Sequence, residues 1–324
     1  MKRILVWHQG ALGDLILSLP AVYAIKKHAA KGTLHLVCRE DMSEVVLEND
    51  LADNTTSNEK GMFGCLFVGP ENHTPELKVF LDGFDVAFIF MRHCNNVFLD
   101  NLGRYVPKCH HILTFPPAGL RTHVSRYQLK QLAELGIQYN DIFPVLHEGN
   151  KTPSPAGLPV VAVHPGSGGI KKRWPLRKYL RLMDELHRQD DVSFVVILGP
   201  AESDGDYETL KAFISSKGIR AEVKKNMPVS RVVRTLKHAT LYIGNDSGIT
   251  QLAAALGIPV VAIFGPTDHN VWKPLGKRVT IARHVYPCAP CGEGTYRGCG
   301  KAECLETLSV ETVLAKCLRT LRML

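Results

Sequence analysis

The sequence predicts an α/β protein built from two doubly wound domains. Short apolar runs, typical of buried strands, alternate with amphipathic stretches of helical spacing. This alternation predicts a parallel sheet that is covered by helices on both faces. It stops at residues 147–159 and then starts again. With 324 residues, the chain is long for one hydrophobic core and suits two domains of ~150 residues each.

The first half of the chain predicts one complete sheet. Apolar runs predict strands at residues 3–8, 33–38, 64–68, 85–90 and 111–115. Amphipathic stretches predict helices at residues 21–30, 77–84 and 124–135. Residues 147–159 are rich in Gly, Pro, Ser and Thr and have no apolar periodicity, which is typical of a linker. We therefore predict an N-terminal domain at residues 1–150.

The second half repeats the pattern. Strands are predicted at 159–164, 192–199, 240–244 and 259–265, with helices near 176–188, 206–217, 229–237 and from about 247. Residues 309–324 predict a closing amphipathic helix. Its apolar stripe comprises Val310, Val313, Leu314, Cys317, Leu318 and Leu321. We predict a second domain at 151–308, followed by this helix. Because ligands of open α/β sheets bind at the carboxyl ends of the strands, we expect a binding cleft between the domains.

The charge balance favours an anionic partner. Lys and Arg number 39 against 31 Asp and Glu, which gives a formal charge of +8. Nucleotide phosphates, an acidic membrane surface and nucleic acid all fit this balance. No nucleic-acid-binding signature or dense basic tract is present, so nucleic acid is the least favoured partner. Polar His8, Gln9 and Asp14 interrupt the apolar core that a signal peptide needs, and we expect the protein to stay in the cytoplasm.

The cysteines indicate reduced thiols. The chain has nine, an odd number, and four of them are scattered among predicted strands and helices. A cluster near the C-terminus has the spacing C-x2-C-x7-C-x4-C, formed by Cys288, Cys291, Cys299 and Cys304. Such a cluster is a candidate zinc site. Its second pair is wider than the C-x-x-C units of most zinc knuckles, so reduced thiols in a loop are the favoured interpretation.

The segment QGALGDLILSLP (9–20) directly follows the first predicted strand. Gly10 and Gly13 permit a tight turn with the backbone close to a ligand. Asp14 then stands at a helix start, where the helix dipole favours its charged form. One alternative is that Asp14 only caps the helix. Another is a dinucleotide site with Glu40 as the ribose-binding acid, although G-x-x-G lacks the third glycine of that motif.

Two later segments are candidate anion sites. VHPGSGGIKKRWP (163–175) joins a strand to a helix through a loop with three glycines, followed by Lys171, Lys172 and Arg173. A solvated basic loop is the alternative interpretation. In YIGNDSGITQLAAALGIPVVAIFGPTD (242–268), strong N-cap residue types precede a helix of small residues. The backbone turn of GPTD (265–268) follows the next strand at the same predicted sheet edge.

Together, these segments resemble glycosyltransferase family 9, the bacterial ADP-heptose:lipopolysaccharide heptosyltransferases. Three blocks along nearly the whole chain carry the resemblance. The first has the pattern G-x-x-G-D-x5-P, with Gly10, Gly13, Asp14 and Pro20. The others are HPGSG…KRWP and GNDSG…LAAALGIPVVAIFGPTD, of which the last is the most specific. The cysteine-rich segment resembles one in the second-heptose branch of the family.

The resemblance implies the GT-B architecture, in which two Rossmann-like domains face each other across a cleft. It also implies that the C-terminal helix crosses back to the first domain. The implied reaction is an inverting, metal-independent transfer of heptose from ADP-heptose, without a cofactor. The acceptor would be the lipopolysaccharide core or lipid A, bound by the N-terminal domain, and the donor would bind the C-terminal domain. Such an enzyme is cytoplasmic and contacts the inner face of the inner membrane.

By resemblance, Asp14 corresponds to the general base, and Gly10 and Gly13 form the acceptor-side loop around it. Lys172 corresponds to a lysine that contacts the donor, and Ser167 contacts phosphate. The remaining donor residues follow on the same basis: Glu202 on the nucleotide side, Asp246 near the donor sugar, and Ser247 with Gly248 around the diphosphate.

One position departs from the family pattern. Gln251 stands where the family usually has His, three residues after the Gly of its D-[ST]-G motif. Gln keeps hydrogen-bonding capacity but cannot carry a proton charge, so the identity of donor or acceptor is open. The alternatives are a nucleotide-sugar epimerase or hydrolase of the same architecture and a transferase that uses another nucleotide sugar. A dinucleotide oxidoreductase and a zinc-dependent binding module rank below them.

Overall fold

A computed structural model describes residues 2–93, 95–143, 146, 157–291 and 299–323. The chain divides into two compact units. The first unit comprises Met1–Pro117 and Val124–Val145, and the second comprises Ala118–His123 and Leu146–Leu324. The predicted linker, 147–159, lies mostly outside the described residues. No helix of the described part combines the length and the apolar character needed to cross a membrane.

The first unit contains a parallel sheet whose described strands follow the order β3-β2-β1-β4-β5. The strands are β1 (Arg3–His8), β2 (Thr33–Cys38), β3 (Asn54–Ser57), β4 (Val86–Met91) and β5 (Cys109–Leu113). The helices are α1 (Leu12–His28), α2 (Ser43–Glu48), α3 (Pro75–Leu81), α4 (Asn96–Gly103) and α5 (Val124–Glu134). From Ile4 to His8, the central strand β1 is buried, as expected for a strand covered on both faces.

An aromatic cluster forms the core on one face of this sheet. The Trp7 ring contacts Phe63 and Phe98 edge-on, with ring centroids 4.8 Å and 5.0 Å away. Such edge-to-face contacts stabilise beyond the area that they bury. On α1, the backbone carbonyl of Leu17 accepts a hydrogen bond of 2.6 Å from Ser125 Oγ, which joins α1 to α5. This hydrogen bond holds the first half of α1 against α5.

The second unit contains a larger parallel sheet, whose described strands follow the order β11-β10-β9-β6-β7-β8. Its strands are β6 (Val160–His164), β7 (Ser193–Leu198), β8 (Ala221–Lys225), β9 (Leu241–Asn245), β10 (Val260–Ile263) and β11 (Val279–Ala282). Its helices are α6 (Leu176–Gln189), α7 (Asp204–Lys217), α8 (Val229–Lys237), α9 (Gly248–Ala255), α10 (His269–Trp272), α11 (Glu303–Glu306) and α12 (Val310–Arg322). In chain order this is the Rossmann arrangement 3-2-1-4-5-6.

The last helix is part of the second unit. Helix α12 packs against α6 and the strands β9, β10 and β11. Its apolar stripe explains this position. The predicted residues Val310, Val313, Leu314 and Cys317 are buried in the core of this unit, and Leu318 and Leu321 pack partly buried at its edge. The predicted apolar stripe is therefore confirmed, and it packs against the sheet of the second unit.

Short or polar strands were the least predictable elements. The apolar run 64–68, predicted as a strand, lies in a 3-10 helix at Gly61–Phe67. Its buried residues Met62, Phe63 and Leu66 recur at helical spacing. A run of only five apolar residues is too short to show this spacing. The strand at that place in the sheet is β3, whose sequence NTTS carries no apolar signal. Strands β8 and β11 were missed for a similar reason, since neither contains a long apolar run.

Leu314→Ala is expected to lower the free energy of unfolding by ~2–5 kcal/mol, because it removes buried methylene groups and leaves a cavity. Leu321→Ala, on the same stripe but only partly buried, serves as the control and is expected to cost less. Urea denaturation followed by tryptophan fluorescence measures both. A loss below ~1 kcal/mol for Leu314→Ala would contradict the packing of α12 against this core.

Candidate active site

Both sheets reverse their strand order beside their first strand. In the first unit β1 lies between β2 and β4, and in the second unit β6 lies between β7 and β9. Loops that leave the carboxyl ends of such neighbouring strands diverge and open a crevice, the usual ligand site of open α/β sheets. In the second unit, the loops after β6 and β9 carry most of the predicted donor residues, and Glu202 lies in the loop after β7. In the first unit, the loop after β1 carries Asp14.

A lysine–carboxylate pair lies at the crevice of the second unit. Lys172 Nζ is 2.9 Å from Asp246 Oδ2, and the same oxygen accepts a hydrogen bond of 2.8 Å from Thr267 Oγ1. The Asp246 side chain is 10% exposed and that of Lys172 24% exposed, so water screens this pair only partly. Three strand ends, those of β6, β9 and β10, therefore meet at one carboxylate. Lys172 belongs to a structured contact and is not part of a solvated basic loop.

Ser167 and Arg173 link the glycine loop to the strands on either side. The buried Ser167 hydroxyl donates a hydrogen bond of 2.9 Å to the backbone carbonyl of Asp246. Arg173 Nε donates to the carbonyl of Ser167, and its terminal nitrogen donates to the carbonyl of Ala201. These contacts join the loop after β6 to the loop after β9 on one side and to the loop after β7 on the other.

Asn245 holds both ends of the glycine loop. Its side chain is fully buried at the end of β9. Nδ2 donates to the carbonyls of Pro165, at 2.6 Å, and Gly166, at 3.2 Å, while Oδ1 accepts from the Trp174 backbone N–H at 2.9 Å. One carboxamide thus fixes where the loop leaves β6 and where it enters the region before α6. Asn245 stands in the GNDSG motif, but the motif alone predicts no role for it.

Helix α9 begins at a chain of hydroxyl groups. Ser247 is its N-cap and accepts a hydrogen bond from the backbone N–H of Thr250. The Thr250 hydroxyl lies 3.0 Å from both Ser247 Oγ and the Tyr242 hydroxyl oxygen. Burial raises the pKa of Tyr242 well above its ordinary value, so this phenol stays protonated. The cap leaves the N–H of Gly248 in the first helical turn, where the helix dipole favours an anion.

Gln251 lies one turn further along α9 and is buried. Its Nε2 donates a hydrogen bond of 2.8 Å to the backbone carbonyl of Trp272 at the end of α10. Its Oε1 is buried without a hydrogen-bond partner among the described residues. The glutamine therefore joins α9 to α10, a contact that explains a polar residue at this buried position.

Glu202 is nearly buried beside the glycine loop. Its Oε2 accepts a hydrogen bond of 2.7 Å from the Gly199 N–H. Within the described residues, its Oε1 has no hydrogen-bond partner, and the Arg173 guanidinium lies 3.9 Å away. A Cβ on Gly166 would lie 2.1 Å from Oε1, so a side chain there would displace the Glu202 carboxylate. A cavity of about 570 Å³ opens here, lined on one side by Glu202 and Arg173.

In the first unit, Asp14 lies in the first turn of α1, one residue after Gly13. Its Oδ2 accepts a hydrogen bond of 3.1 Å from the Ala11 N–H, so the carboxylate does cap the helix. Gly10 forms the turn before it, and a Cβ there would lie 2.6 Å from Asp14 Cβ. The loop after β1 is therefore tight enough to require glycine. The side chain of Asp14 is partly exposed, which a base that meets a substrate hydroxyl needs.

The described cysteines are all free, and Cys94 lies outside the described residues. In the C-terminal cluster, burial raises the pKa of Cys291, and the nearby Cys288 and Cys299 thiols raise it further. Burial likewise raises the pKa of Cys304 to about 11. Among the described residues, no group of three or more His, Cys, Asp or Glu side chains is arranged to hold a metal ion. Residues 292–298, within the cluster, lie outside that description.

The structure brings most of the predicted donor residues together. Contacts join Ser167, Lys172 and Asp246, and Ser247 and Gly248 follow Asp246 directly. Glu202 lies nearby, on the far side of Arg173. Sequence reasoning missed two contributors, Asn245 and Thr267. Both stand inside motifs that were recognised, and their position at the end of a strand or just beyond it was the available signal.

Two doubly wound units, one with a lysine–carboxylate pair in the crevice at its switch point, define an α/β protein of Rossmann type. The sequence model of glycosyltransferase family 9 (heptosyltransferase) matches residues 119–298, more than half of the chain. The chain therefore belongs to glycosyltransferase family 9, as the motifs predict. The matched range contains the predicted donor residues, whereas the block with Asp14 lies outside it.

Individual relatives are more distant. Lipooligosaccharide heptosyltransferase 2 of Haemophilus influenzae is 28% identical over 132 residues, which cover 39% of this chain and only 37% of that relative. A solved family 9 glycosyltransferase from Veillonella parvula superposes with a TM-score of 0.78 at 19% identity, covering 100% of this chain and 98% of that one. ADP-heptose lps heptosyltransferase II of E. coli gives 0.73 at 17% identity, covering 100% and 99%. These likenesses confirm the predicted fold class.

Asn245→Leu, which keeps the branched shape of the side chain but is apolar, is expected to cost about 3 kcal/mol or more of stability. It leaves the Trp174 N–H and two carbonyls buried without partners, at about 1–3 kcal/mol for each unsatisfied group. Asn270→Leu, at an exposed asparagine of the same unit, is the control and is expected to change stability by less than ~0.5 kcal/mol. Chemical denaturation measures both. Equal, small losses would show that the glycine loop does not depend on Asn245.

Proposed function

We propose that this protein is an inverting glycosyltransferase that transfers heptose from ADP-heptose to the lipopolysaccharide inner core. One observation carries the proposal. The Lys172–Asp246 pair lies at the switch point of the second unit, directly before the N-terminus of α9. Family membership and the name of the Haemophilus relative support heptose as the sugar.

The donor diphosphate fits the chemistry of the second unit. Lys172 supplies a cation, and the first-turn N–H groups of α9 supply donors in a favourable dipole field. Ser167 reinforces the loop through its bond to the Asp246 carbonyl. Asp246 holds Lys172 in place before the ligand arrives and, as an acceptor, suits hydroxyl groups of the donor sugar. The half-satisfied Glu202 carboxylate is a second acceptor, suited to hydroxyl groups of the nucleoside.

In the proposed reaction, the acceptor hydroxyl oxygen attacks the anomeric carbon of the donor. A carbon–oxygen bond forms on one face while the bond to the diphosphate oxygen breaks on the other, so the anomeric configuration inverts. ADP departs with the bonding electron pair, and Lys172 with the α9 N-terminus stabilises its growing charge. The acceptor proton passes to the Asp14 carboxylate. A carboxylate is a strong enough base for this step, because the attacking hydroxyl becomes acidic as it bonds to the electron-poor centre.

The acceptor and the place of reaction follow from the same proposal. A lipopolysaccharide core or lipid A acceptor is anionic and amphipathic, and the formal charge of +8 suits contact with it and with the inner face of the inner membrane. We place the acceptor on the first unit beside Gly10, Gly13 and Asp14. Cytoplasmic residence and a peripheral membrane contact complete the proposal.

Product analysis tests the function directly. The protein is incubated with ADP-heptose, with and without a lipopolysaccharide inner-core acceptor, and the products are identified by mass spectrometry and by NMR of the anomeric centre. We expect ADP release and a heptosyl adduct of inverted configuration only when both substrates are present. An epimerase or hydrolase would consume the donor alone. Repeating the assay with UDP- and GDP-sugars tests whether this chain, which has Gln251 where the family usually has His, uses a different donor.

Asp14→Asn is expected to lower the transfer rate by ~10²–10⁴-fold, because the amide cannot take the acceptor proton. Donor affinity should stay close to that of the wild type, since the proposed donor site is in the second unit. The exposed Asp82→Asn in the same unit is the control and should leave the rate unchanged. Steady-state kinetics with both substrates measure the effect. Activity of Asp14→Asn within a few-fold of the wild type would remove Asp14 from the mechanism.

Lys172→Ala and the adjacent Lys171→Ala form a matched pair. Lys172 Nζ contacts Asp246 in the crevice, whereas Lys171 Nζ donates to the backbone carbonyl of Gly300. We expect Lys172→Ala to weaken donor binding and to lower kcat/KM by ~10²-fold, as the loss of one charge-stabilising donor does. Lys171→Ala should have a much smaller effect. Equal losses from the two variants would indicate a diffuse basic loop.

Transfer is expected to survive EDTA, because Lys172 and the α9 N–H groups already compensate the diphosphate charge. Activity and melting temperature are measured together, with and without chelator. Activity lost at unchanged melting temperature and restored by Mg²⁺ would contradict metal-independent transfer. A parallel fall in melting temperature would point to zinc on Cys288, Cys291, Cys299 and Cys304, since structural metal stabilises the folded state.

A further inference from the structure

A histidine with no assigned role lies under the loop that carries Asp14. His8 is the last residue of β1, and its side chain is fully buried. Its Nδ1 lies 3.2 Å from the Gly10 backbone nitrogen, and its Nε2 lies 3.1 Å from Ser18 Oγ. The Ser18 hydroxyl in turn donates a hydrogen bond of 2.8 Å to the backbone carbonyl of Asp14. One imidazole thus contacts both the turn before Asp14 and the helical turn after it.

The directions of these hydrogen bonds determine the protonation state and the tautomer of the His8 ring. The Gly10 N–H can only donate, so Nδ1 of His8 must be the unprotonated acceptor. The ring proton is then on Nε2, which donates to Ser18 Oγ and leaves the serine proton for the Asp14 carbonyl. Every polar atom in this row of hydrogen bonds, from Gly10 through His8 and Ser18 to the Asp14 carbonyl, then has a partner. Protonation of Nδ1 would set two donors against each other and break the contact with Gly10.

Burial supports the neutral ring. It lowers the pKa of His8 to about 3, far below the ordinary value of 6.5, and the contact with the Asp14 backbone opposes this only in part. The ring is therefore neutral at any pH at which a cytoplasmic enzyme works. His8 cannot serve as an acid–base group of the reaction, and its contribution must be geometric.

Steric fit connects the ring to Asp14 even more closely. A Cβ at Gly10 would lie 2.7 Å from His8 Cε1 and 2.6 Å from Asp14 Cβ. The turn at Gly10 is therefore held between the imidazole on one side and the Asp14 side chain on the other. A shift of the ring has to move the turn, and the turn sets the direction in which α1 presents its first carboxylate.

We propose that His8 is a positioning residue for Asp14, holding the Gly10 turn and the first turn of α1 so that the carboxylate meets the acceptor hydroxyl. This inference rests on the proposed function, since it takes Asp14 as the general base. Small displacements of a reacting group are costly: about 1 Å can lower a rate by ~10²-fold. An apolar residue would serve packing at this position equally well. Packing alone therefore does not explain a buried neutral histidine, whereas positioning of Asp14 does.

Two conservative variants separate the contacts of His8. In His8→Asn, the side-chain oxygen can take the place of Nδ1 and accept from Gly10. In His8→Gln, the terminal amide instead reaches the place of Nε2 and contacts Ser18. We expect His8→Asn to retain most of the activity and His8→Gln to lower kcat by ~10-fold or more, with the donor KM unchanged. Thermal melting checks that both variants fold.

A double-mutant cycle with Asp14→Asn decides between positioning and general damage to the fold. If His8 acts through Asp14, His8→Gln should cost little further rate once Asp14 is already Asn, because the group it positions is gone. Single-turnover assays with ADP-heptose and an inner-core acceptor give the four rates. The same rate loss from His8→Gln in both backgrounds, a raised donor KM, or unchanged activity of His8→Gln would overturn the inference. Full activity of Asp14→Asn alone would instead refute the proposed base, and with it the role of His8.

Discussion

The buried carboxamide of Asn245 is the contact on which the donor side of the candidate site depends. Backbone groups of a loop have no regular partners of their own, and buried ones must be satisfied. Asn245 satisfies three of them, at Pro165, Gly166 and Trp174. The loop between these points carries Ser167 and Lys172, so their distance from Asp246 follows from where β9 ends. The position at which β9 ends thus determines the geometry of the Lys172–Asp246 site through the side chain of Asn245.

The charges of that site are arranged before any ligand is bound. Lys172 is held by Asp246, which Thr267 also contacts, so the cation would need little reorganisation to bind the proposed diphosphate. The first unit solves a similar problem with neutral groups. There, the His8 imidazole and the Ser18 hydroxyl fix the backbone around Asp14, whose carboxylate caps α1. In both units, a residue at the end of a strand, Asn245 or His8, holds the loop that carries the proposed reactive group.

The sequence predicted the periodic elements and the motifs well, and the non-periodic contacts poorly. Long apolar runs gave the central strands, and the stripe of α12 was right in every position. The polar strand NTTS was missed because the local sequence pattern does not show which segments pair in a sheet. The segment around Phe63 was predicted as a strand because its apolar run is too short to show helical spacing. Motifs predicted Lys172 and Asp246 as site residues, but not that they contact each other. His8 appeared only as a polar interruption, since its partners become visible only once the turn is built.

Calorimetric titration of the protein with ADP, AMP, UDP and NAD tests the central claim most directly, namely that the switch point of the second unit is a nucleoside diphosphate site. The account predicts saturable binding of ADP, weaker binding of AMP because it lacks the second phosphate, and loss of ADP binding in Lys172→Ala. Binding to the folded state should also raise the melting temperature as ADP concentration increases. Binding of NAD in preference to ADP, or ADP binding unaffected by Lys172→Ala, would contradict it.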